Sequence, residues 1–159
     1  MNAWNEQTAR LEELIPLIEE QLGKGLKVRF SPYGSSMRPL IREGRDSVVL
    51  APAPEKLKKY DVPLYRRANG QFVLHRVIKA EETYTCIGDN LFSFEKEVQH
   101  GQIIAVVSGI YRSKRYYDVN NLFYKLYCRI WYIALPMRRF LKRCINWLRY
   151  RLTKNKPLI

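Results

Sequence analysis

The sequence contains few cysteines and histidines, and no uncharged apolar run long enough for a membrane span. Its three cysteines, Cys86, Cys128 and Cys144, form no CxxC motif and no paired spacing. We therefore expect neither a metal site nor a disulfide framework, and a reducing compartment fits best. The longest uncharged piece of the apolar C-terminal region, residues 130–137, is far shorter than the roughly 20 residues of a transmembrane helix. Length and composition indicate one globular domain with an additional element.

Acidic residues are almost absent from the last third of the chain. The net charge is +13. Residues 1–110 carry 15 Lys and Arg against 14 Asp and Glu, whereas residues 111–159 carry 13 Lys and Arg against the single Asp118. The body is thus nearly neutral, and the tail holds almost all of the charge. Such asymmetry indicates a polyanionic partner for the tail, either nucleic acid or anionic lipid.

Residues 1–25 are predicted to form an amphipathic helix. Glutamates occupy one face, and Gly23 and Gly25 suit the end of the helix. We expect the helix to pack on the following domain, with binding to a partner as the alternative. The apolar residues that recur at helical spacing are Leu11, Leu14, Ile15, Ile18 and Leu22.

Short runs rich in β-branched and aromatic residues fill residues 26–111. The segments LKVRF, DSVVLAP, TYTCIG and GQIIAVVSGIYR are predicted to be strands. The segment VPLYRRANGQFVLHRVIKA is predicted to be a hairpin, because Asn69 and Gly70 favour a tight turn. Since no long helix separates these strands, we expect a mainly β fold, either an antiparallel sheet or a folded, barrel-like β domain.

Residues 112–159 combine aromatic and aliphatic residues with Lys and Arg. Asn120 or Asn121 is suited to cap a first helix, and Pro136 is expected to separate it from a second. In the second helix the apolar residues follow one stripe. The sequence therefore predicts a basic amphipathic helical tail.

Four short motifs follow one another within residues 30–110: GSSMRP, LHRV, GDN and VQHG. Each alone is more typical of an ordinary turn or strand, but their order resembles the signal peptidase I family, in its branch with a Ser–His arrangement. The resemblance implies a signal peptidase/LexA-like folded β domain. It also implies a serine endopeptidase that cleaves a leader or signal peptide through an acyl-enzyme, without a metal or organic cofactor.

The resemblance assigns roles to residues around the first two motifs. Ser36, immediately before Met37, would be the nucleophile rather than Ser35, and its backbone N–H would contribute to the oxyanion hole. His75 would be the general base that takes the serine proton and later donates a proton to the leaving amine. Met37 and Pro39 would shape the wall and the turn around the serine.

Two acids compete for the third catalytic role that the resemblance implies. Asp89 matches the acid of the GDN motif and would orient the histidine or buttress the site. Glu95 lies six residues further on, where relatives in this branch carry a second aspartate, and its side chain reaches further by one methylene. Both assignments remain open at the level of sequence.

The chain departs from the family pattern at two positions near the serine. Gly34 lies two residues before the nucleophile, where some relatives place a serine hydroxyl in the oxyanion hole. Stabilisation of the oxyanion would then rest on backbone N–H groups or on Ser35. Arg45 interrupts the Gly-Asp turn of the family.

The base distinguishes this chain from the related LexA-type repressor-cleaving peptidases, which use a Ser–Lys pair. A histidine at the base position argues against that branch, as does the lack of a helix-turn-helix pattern. A histidine base predicts activity that rises around pH 6–7, whereas a lysine base predicts a rise only above about pH 9.

Three interpretations compete for the tail: packing on the β domain, helices at an anionic membrane surface, and binding of nucleic acid. We favour the membrane surface, because interleaved aromatic and basic residues suit the headgroup region. A transmembrane helix near residues 116–137 is disfavoured by Lys125 and Arg129. The residues expected to bind the membrane are Trp131, Arg138, Arg139, Phe140, Lys142, Arg143, Trp147 and Arg149.

The sequence thus predicts a serine endopeptidase with a membrane-associated tail. The family's usual N-terminal anchor is absent, so we expect peripheral association with the cytoplasmic face of a bacterial membrane. The resemblance implies small residues just before the cut and pairing of the extended substrate with an edge strand. The alternative is a non-catalytic membrane-associated or nucleic-acid-binding module on a peptidase-like scaffold.

Overall fold

The computed structural model of the chain describes residues 3–154, and for side chains residues 11–148 and Arg151. The chain divides into two compact units, Met1–Lys125 and Leu126–Ile159. The elements in chain order are α1 (Ala3–Gly23), β1 (Val28–Phe30), β2 (Asp46–Ala51), β3 (Pro63–Arg66), β4 (Phe72–Leu74), β5 (Arg76–Ala80), β6 (Tyr84–Ile87), β7 (Glu95–Val98), a 3-10 helix (His100–Gln102), β8 (Ile103–Arg112), β9 (Arg115–Asp118), α2 (Leu122–Ile133) and α3 (Leu135–Lys154).

The strands of the first unit form two antiparallel sheets. The larger sheet has the order β1-β2-β8-β3-β4, with β9 also paired to β8, and the smaller sheet has the order β5-β6-β7. One buried cluster joins them, since Tyr65 comes from the larger sheet and Val77, Tyr84 and Cys86 come from the smaller one. Apolar side chains on the inner faces are thereby removed from water, which is the main driving force for this packing.

The mainly β prediction holds only roughly. The structure contains 31% helix and 31% strand, which is a mixed composition. Every segment predicted to be a strand contains one, but β7 and β9 were not predicted. Strand β9 carries the larger sheet past residue 111, where the β domain was expected to end, to Asp118. All four residues of β9 are exposed, so no apolar alternation marks it as a strand.

The predicted hairpin exists, but its second arm is divided between the two sheets. Strands β3 and β4 pair with Tyr65 opposite Val73, and Gly70 adopts a φ of 87° in the turn. Strand β4 ends at Leu74, and β5 begins at Arg76 in the other sheet. His75 therefore lies at the corner where the chain passes from one sheet to the other. Its side chain does not follow the alternation of either strand.

Helix α1 packs on the first unit through part of its apolar stripe. Ile15, Ile18 and Leu22 are buried, whereas Leu14 and Leu17 are 45% and 57% exposed. The helix ends as expected, since Gly25 has a φ of 74° and donates its N–H to the Leu22 carbonyl over 2.9 Å.

The C-terminal helices begin and divide close to the predicted positions. The Asn121 side-chain oxygen accepts a hydrogen bond from the Phe123 N–H over 2.8 Å, and this cap stabilises the start of α2 by about 1 kcal/mol. Pro136 is the second residue of α3, within the first turn that tolerates proline. None of the described helices has the length and apolar content needed to cross a membrane.

Candidate active site

The loop that carries Ser36 is held by the later GDN turn. Ser36 is partly buried, and Ser35 beside it is exposed. The Asn90 backbone N–H donates to the Ser36 carbonyl over 2.7 Å, and the Asn90 side-chain amide donates to the Ser35 carbonyl over 3.2 Å. A Cβ atom on Gly88 would lie 2.8 Å from the Ser36 carbonyl oxygen, so only glycine permits this approach. The GDN motif thus fixes the backbone on both sides of the candidate nucleophile.

The neighbours of Ser36 occupy the positions expected of wall and turn residues. Met37 is buried, and its carbonyl accepts the Ile41 N–H over 2.9 Å. Pro39 follows a cis peptide bond. Gly34 has a φ of 94°, a conformation that strains any residue with a Cβ.

His75 is buried, with one imidazole nitrogen held by a carboxylate. Its Nδ1 lies 2.9 Å from Glu95 Oε1. The Tyr65 hydroxyl lies 3.3 Å from the same nitrogen. With Glu95 accepting a hydrogen bond at Nδ1, the neutral imidazole carries its proton there, and Nε2 becomes the basic nitrogen.

Glu95 is itself held by two further donors. The Tyr65 hydroxyl donates to Oε2 over 2.8 Å, and Arg67 Nε donates to the same oxygen over 2.9 Å. A second Arg67 nitrogen forms an ion pair with Oε1. Burial alone would raise the pKa of Glu95, but the hydrogen bonds from His75, Arg67 and Tyr65 outweigh it and hold that pKa well below its usual range. The carboxylate is therefore charged at neutral pH.

Tyr65 serves this cluster as a hydrogen-bond donor. Burial, followed by the hydrogen bond to Glu95, raises the pKa of the Tyr65 hydroxyl far above its ordinary value. The phenol consequently stays protonated and keeps donating to the carboxylate. Together with Arg67 it fixes the direction in which Glu95 approaches His75.

Asp89 contacts a different partner. Its two carboxylate oxygens accept hydrogen bonds from Arg76 Nε and Nη2 over 2.8 and 2.7 Å. Both side chains are buried, and Arg76 also donates to the Tyr60 carbonyl over 3.1 Å. Asp89 belongs to the turn that holds Ser36, so its position fits the buttressing role considered from sequence. The orienting role fits Glu95.

Ser36 and His75 line one cleft of about 570 Å³. This volume lies within the range of about 300–1,000 Å³ that ligand pockets typically have. The other histidine lies elsewhere: His100 Nδ1 is 3.0 Å from the Tyr84 hydroxyl, and His100 does not line the cleft. Most of the remaining lining residues are apolar, and they include Leu64, Phe72, Val73, Leu74 and Leu91.

One side of the cleft is the open edge of the larger sheet. Strand β4 pairs only with β3 among the described strands. Arg67 N–H donates to the Gln71 carbonyl over 2.8 Å, and the Arg66 carbonyl faces away from β4 toward Gln102, whose amide donates to it over 2.9 Å. The alternation of an antiparallel ladder then directs the backbone groups of Phe72 and Leu74 to the open side.

Within the described part of the chain, no group of three or more His, Cys, Asp or Glu residues could hold a metal ion. All three cysteines are free.

The residues expected to bind a membrane lie on α2 and α3. Trp131 stacks on Tyr127 with ring centroids 5.7 Å apart, and the Arg138 guanidinium lies 3.6 Å from the Trp131 ring centroid. Phe140 and Trp147 are 67% and 53% exposed. Lys142 and Arg143 are exposed and Arg139 is partly buried, whereas the side chain of Arg149 lies outside the described residues.

Sequence reasoning missed Tyr65, Arg67 and Asn90 as parts of this site. A signal for the first two was present, because Tyr65 and Arg67 lie two residues apart on one arm of the hairpin, and Tyr65 is opposite Val73 on the other. Asn90 lies inside the GDN motif but was assigned no role, since its two bonds to the Ser36 loop depend on contacts between distant parts of the chain.

The chain matches no protein-family model, no curated protein and no solved structure.

Proposed function

We propose that this protein is a serine endopeptidase similar to signal peptidase I, with Ser36 as nucleophile and His75 as general base. One observation carries the proposal: Ser36 and His75 line the same cleft, and a charged Glu95 lies 2.9 Å from His75 Nδ1. A serine hydroxyl is a weak nucleophile, so it needs a base whose proton-accepting nitrogen is directed by a third group. The resemblance of the four ordered motifs supports the same assignment.

The residues support an acyl-enzyme reaction. Ser36 Oγ attacks the carbonyl carbon of the scissile peptide bond while His75 Nε2 takes the hydroxyl proton. The resulting imidazolium is stabilised by Glu95 and then donates that proton to the leaving amine. In the second half, His75 Nε2 takes a proton from a water molecule whose oxygen attacks the ester carbonyl. The imidazolium then returns that proton to Ser36 Oγ, and the acyl group leaves as a carboxylic acid. The Ser36 backbone N–H is the candidate donor to the oxyanion.

The open edge of β4 supports binding of an extended peptide. Backbone groups of Phe72 and Leu74 are directed to the open side of β4, both residues line the cleft, and β4 ends one residue before His75. A peptide that adds a strand to this edge would form main-chain hydrogen bonds and bring its scissile bond toward the catalytic pair. The substrate class is therefore a protein or peptide with an extended leader or signal segment.

The tail supports peripheral binding to an anionic membrane surface. Helix α3 carries seven Lys or Arg residues and no acid, counted over Leu135–Lys154. Apolar side chains on the same helix, including Phe140, Leu141 and Trp147, are half or more exposed. Exposed apolar groups among cations suit the boundary between headgroups and acyl chains. The three free cysteines fit the reducing, cytoplasmic side of such a membrane.

A serine-reactive fluorophosphonate probe tests the enzyme assignment. We expect wild type and Ser93→Ala to be labelled, and Ser36→Ala and His75→Ala to lose labelling, with melting temperatures showing that all four are folded. Ser93→Ala is the matched control, because it removes an identical hydroxyl from an exposed position that does not line the cleft. Equal labelling of all four proteins would favour the alternative, a non-catalytic module on a peptidase-like scaffold.

A further inference from the structure

The apolar stripe of α1 has two parts with different surroundings, one in the core of the first unit and one at the cleft. Its C-terminal part, Ile15, Ile18 and Leu22, is buried against the first unit. Its N-terminal part, Leu11 and Leu14, instead lines the cleft that contains Ser36 and His75. Leu14 is 45% exposed. The buried part anchors the helix, and the other part presents aliphatic side chains to whatever occupies the cleft.

The surfaces that face these leucines are also apolar. Phe30, Ile41 and Phe72 line the same cleft, and among the described residues the charged or titratable side chains that line it are Tyr33, Arg67 and His75. The Arg67 guanidinium is engaged by Glu95. No acidic side chain lines the cleft, as far as the described residues show. The cleft thus offers apolar contacts along its length and polar chemistry at the catalytic pair.

The volume of the cleft exceeds what small side chains need. Recognition of alanine-sized residues requires shallow depressions, whereas about 570 Å³ of apolar space leaves room for large side chains beside an extended backbone. Filling such space with aliphatic groups removes apolar surface from water on both partners. In an extended peptide, alternate residues point to the same side, so α1 would contact every second residue of the bound segment.

We propose that α1 forms a side wall of the substrate cleft, and that Leu11 and Leu14 select bulky apolar side chains in the extended peptide segment bound along β4. The proposal rests on the proposed peptidase function for the direction of the peptide toward Ser36. It changes the expected substrate class, because the family resemblance implies only small residues just before the cut. It also gives α1 a role beyond packing.

Binding of short fluorescein-labelled peptides to the full chain, measured by fluorescence polarisation in a Ser36→Ala background, tests this proposal. The peptides consist of Ala and Ser, and every second residue is Ala, Leu or Asp in three otherwise identical versions. We expect the Leu version to bind about tenfold or more tightly than the Ala version, with the Asp version weakest. The variant that tests the role of the wall is Leu14→Arg. Leu14→Ala tests the same position with a smaller change.

Leu17→Arg is the matched control, because Leu17 is 57% exposed on the same helix and does not line the cleft. We expect Leu14→Arg to abolish the preference for Leu and Leu17→Arg to retain it, with equal helix content in both by circular dichroism. Equal binding of the Leu and Ala versions by the wild-type cleft, or equal behaviour of Leu14→Arg and Leu17→Arg, would overturn the proposal.

Hydrolysis of the same peptides by the protein with Ser36 intact separates the two hypotheses. If the peptides are cleaved and cleavage does not depend on Leu14, the role of α1 as a side wall is rejected and the peptidase function is retained. If the Leu version binds more tightly in a way that depends on Leu14, but no peptide is cleaved, the role of α1 as a side wall is retained and the peptidase function is rejected.

Discussion

Two arginines of the first unit have different surroundings from two arginines of the second. In Met1–Lys125, Arg76 and Arg67 are paired with Asp89 and Glu95, and these contacts hold the turn beside Ser36 and the carboxylate beside His75. In Leu126–Ile159 there is no acidic residue. There the Arg138 and Arg151 guanidinium groups lie 3.6 and 4.3 Å from the centroids of the Trp131 and Trp147 rings.

The difference shows that one residue type can fix geometry in one unit and supply net charge in the other. A buried, paired arginine contributes little to the electric field outside the protein, but it restricts its partner to one position. An arginine on an aromatic ring keeps its full charge at the surface. If this comparison is correct, substitutions in the first unit should change activity or folding, and substitutions in the second should change binding to anions.

The largest effect is expected from Glu95→Gln. This change keeps the size of the side chain but removes the charge that stabilises the imidazolium, and we expect kcat to fall by about 10³- to 10⁴-fold. The fall in kcat should be larger than any loss in the free energy of unfolding can explain. Binding to anionic vesicles should be unchanged. The measurement is hydrolysis of a peptide substrate together with urea unfolding.

Asp89→Asn is the matched substitution, because it removes the same charge from the other acid considered from sequence. If a folded Asp89→Asn variant lost as much kcat as Glu95→Gln, the orienting role would belong to Asp89.

Asp89→Asn should instead have its main effect on folding. Arg76 and Asp89 have side chains only 2% and 1% exposed, so loss of the carboxylate charge leaves a buried guanidinium without its counter-ion. Removing one partner of such a pair costs about 3–5 kcal/mol. We expect the free energy of unfolding to fall by that amount, as measured from the urea midpoint. A loss below about 1 kcal/mol would show that the hydrogen bond from Arg76 to the Tyr60 carbonyl is enough to stabilise the buried guanidinium without the carboxylate charge.

Removing positive charge from the tail should weaken binding to anionic vesicles, with an effect of intermediate size. Lys142→Gln combined with Arg143→Gln removes two exposed charges, each contributing about 1 kcal/mol near an anionic surface, so partitioning onto phosphatidylserine vesicles should weaken about 30-fold. Activity on a short soluble peptide should not change. Co-sedimentation with vesicles measures the first result and a fluorogenic assay the second.

Lys56→Gln combined with Lys96→Gln is the control, because it removes two exposed charges from the first unit. Equal weakening by both pairs would show that net charge alone, and not the tail, drives binding. Retention of binding after removal of residues 112–159 would contradict the membrane interpretation.

The sequence predicted those features that depend on local pattern. The alternation and the Asn69-Gly70 turn located the β3–β4 hairpin, and Asn121 marked the start of α2. The order of the motifs grouped Ser36 with His75, and both residues line one cleft. It could not show that His75 lies where the chain changes sheets, because strand alternation assumes that a continuous apolar run stays in one sheet.

The choice between Asp89 and Glu95 also lay beyond the sequence. It depends on the pairing of β6 with β7, in which Cys86 is opposite Glu95 and the acid is brought toward Tyr65 and His75. Strand β7 has the sequence EKEV, whose charges resemble those of a loop, so neither the strand nor its register was predictable. Asp89, the other acid considered from sequence, instead accepts hydrogen bonds from Arg76, a partner visible only once the two residues are placed together in the fold.

The smallest effect is expected in acid, through the carboxylate of Glu95. The pKa of Glu95 is lower in the folded protein than the ordinary value of 4.5, so its ionisation stabilises the fold above that pH. As pH falls below about 4.5, protonation in the unfolded chain comes first, and this contribution is progressively lost. Urea midpoints between pH 7 and pH 3 should therefore fall less steeply for Glu95→Gln than for wild type, and Tyr65→Phe, which removes one of the three donors, should lie between them. Identical slopes for all three proteins would show that the contacts around Glu95 do not stabilise its charge, and that the first unit resembles the tail in this respect.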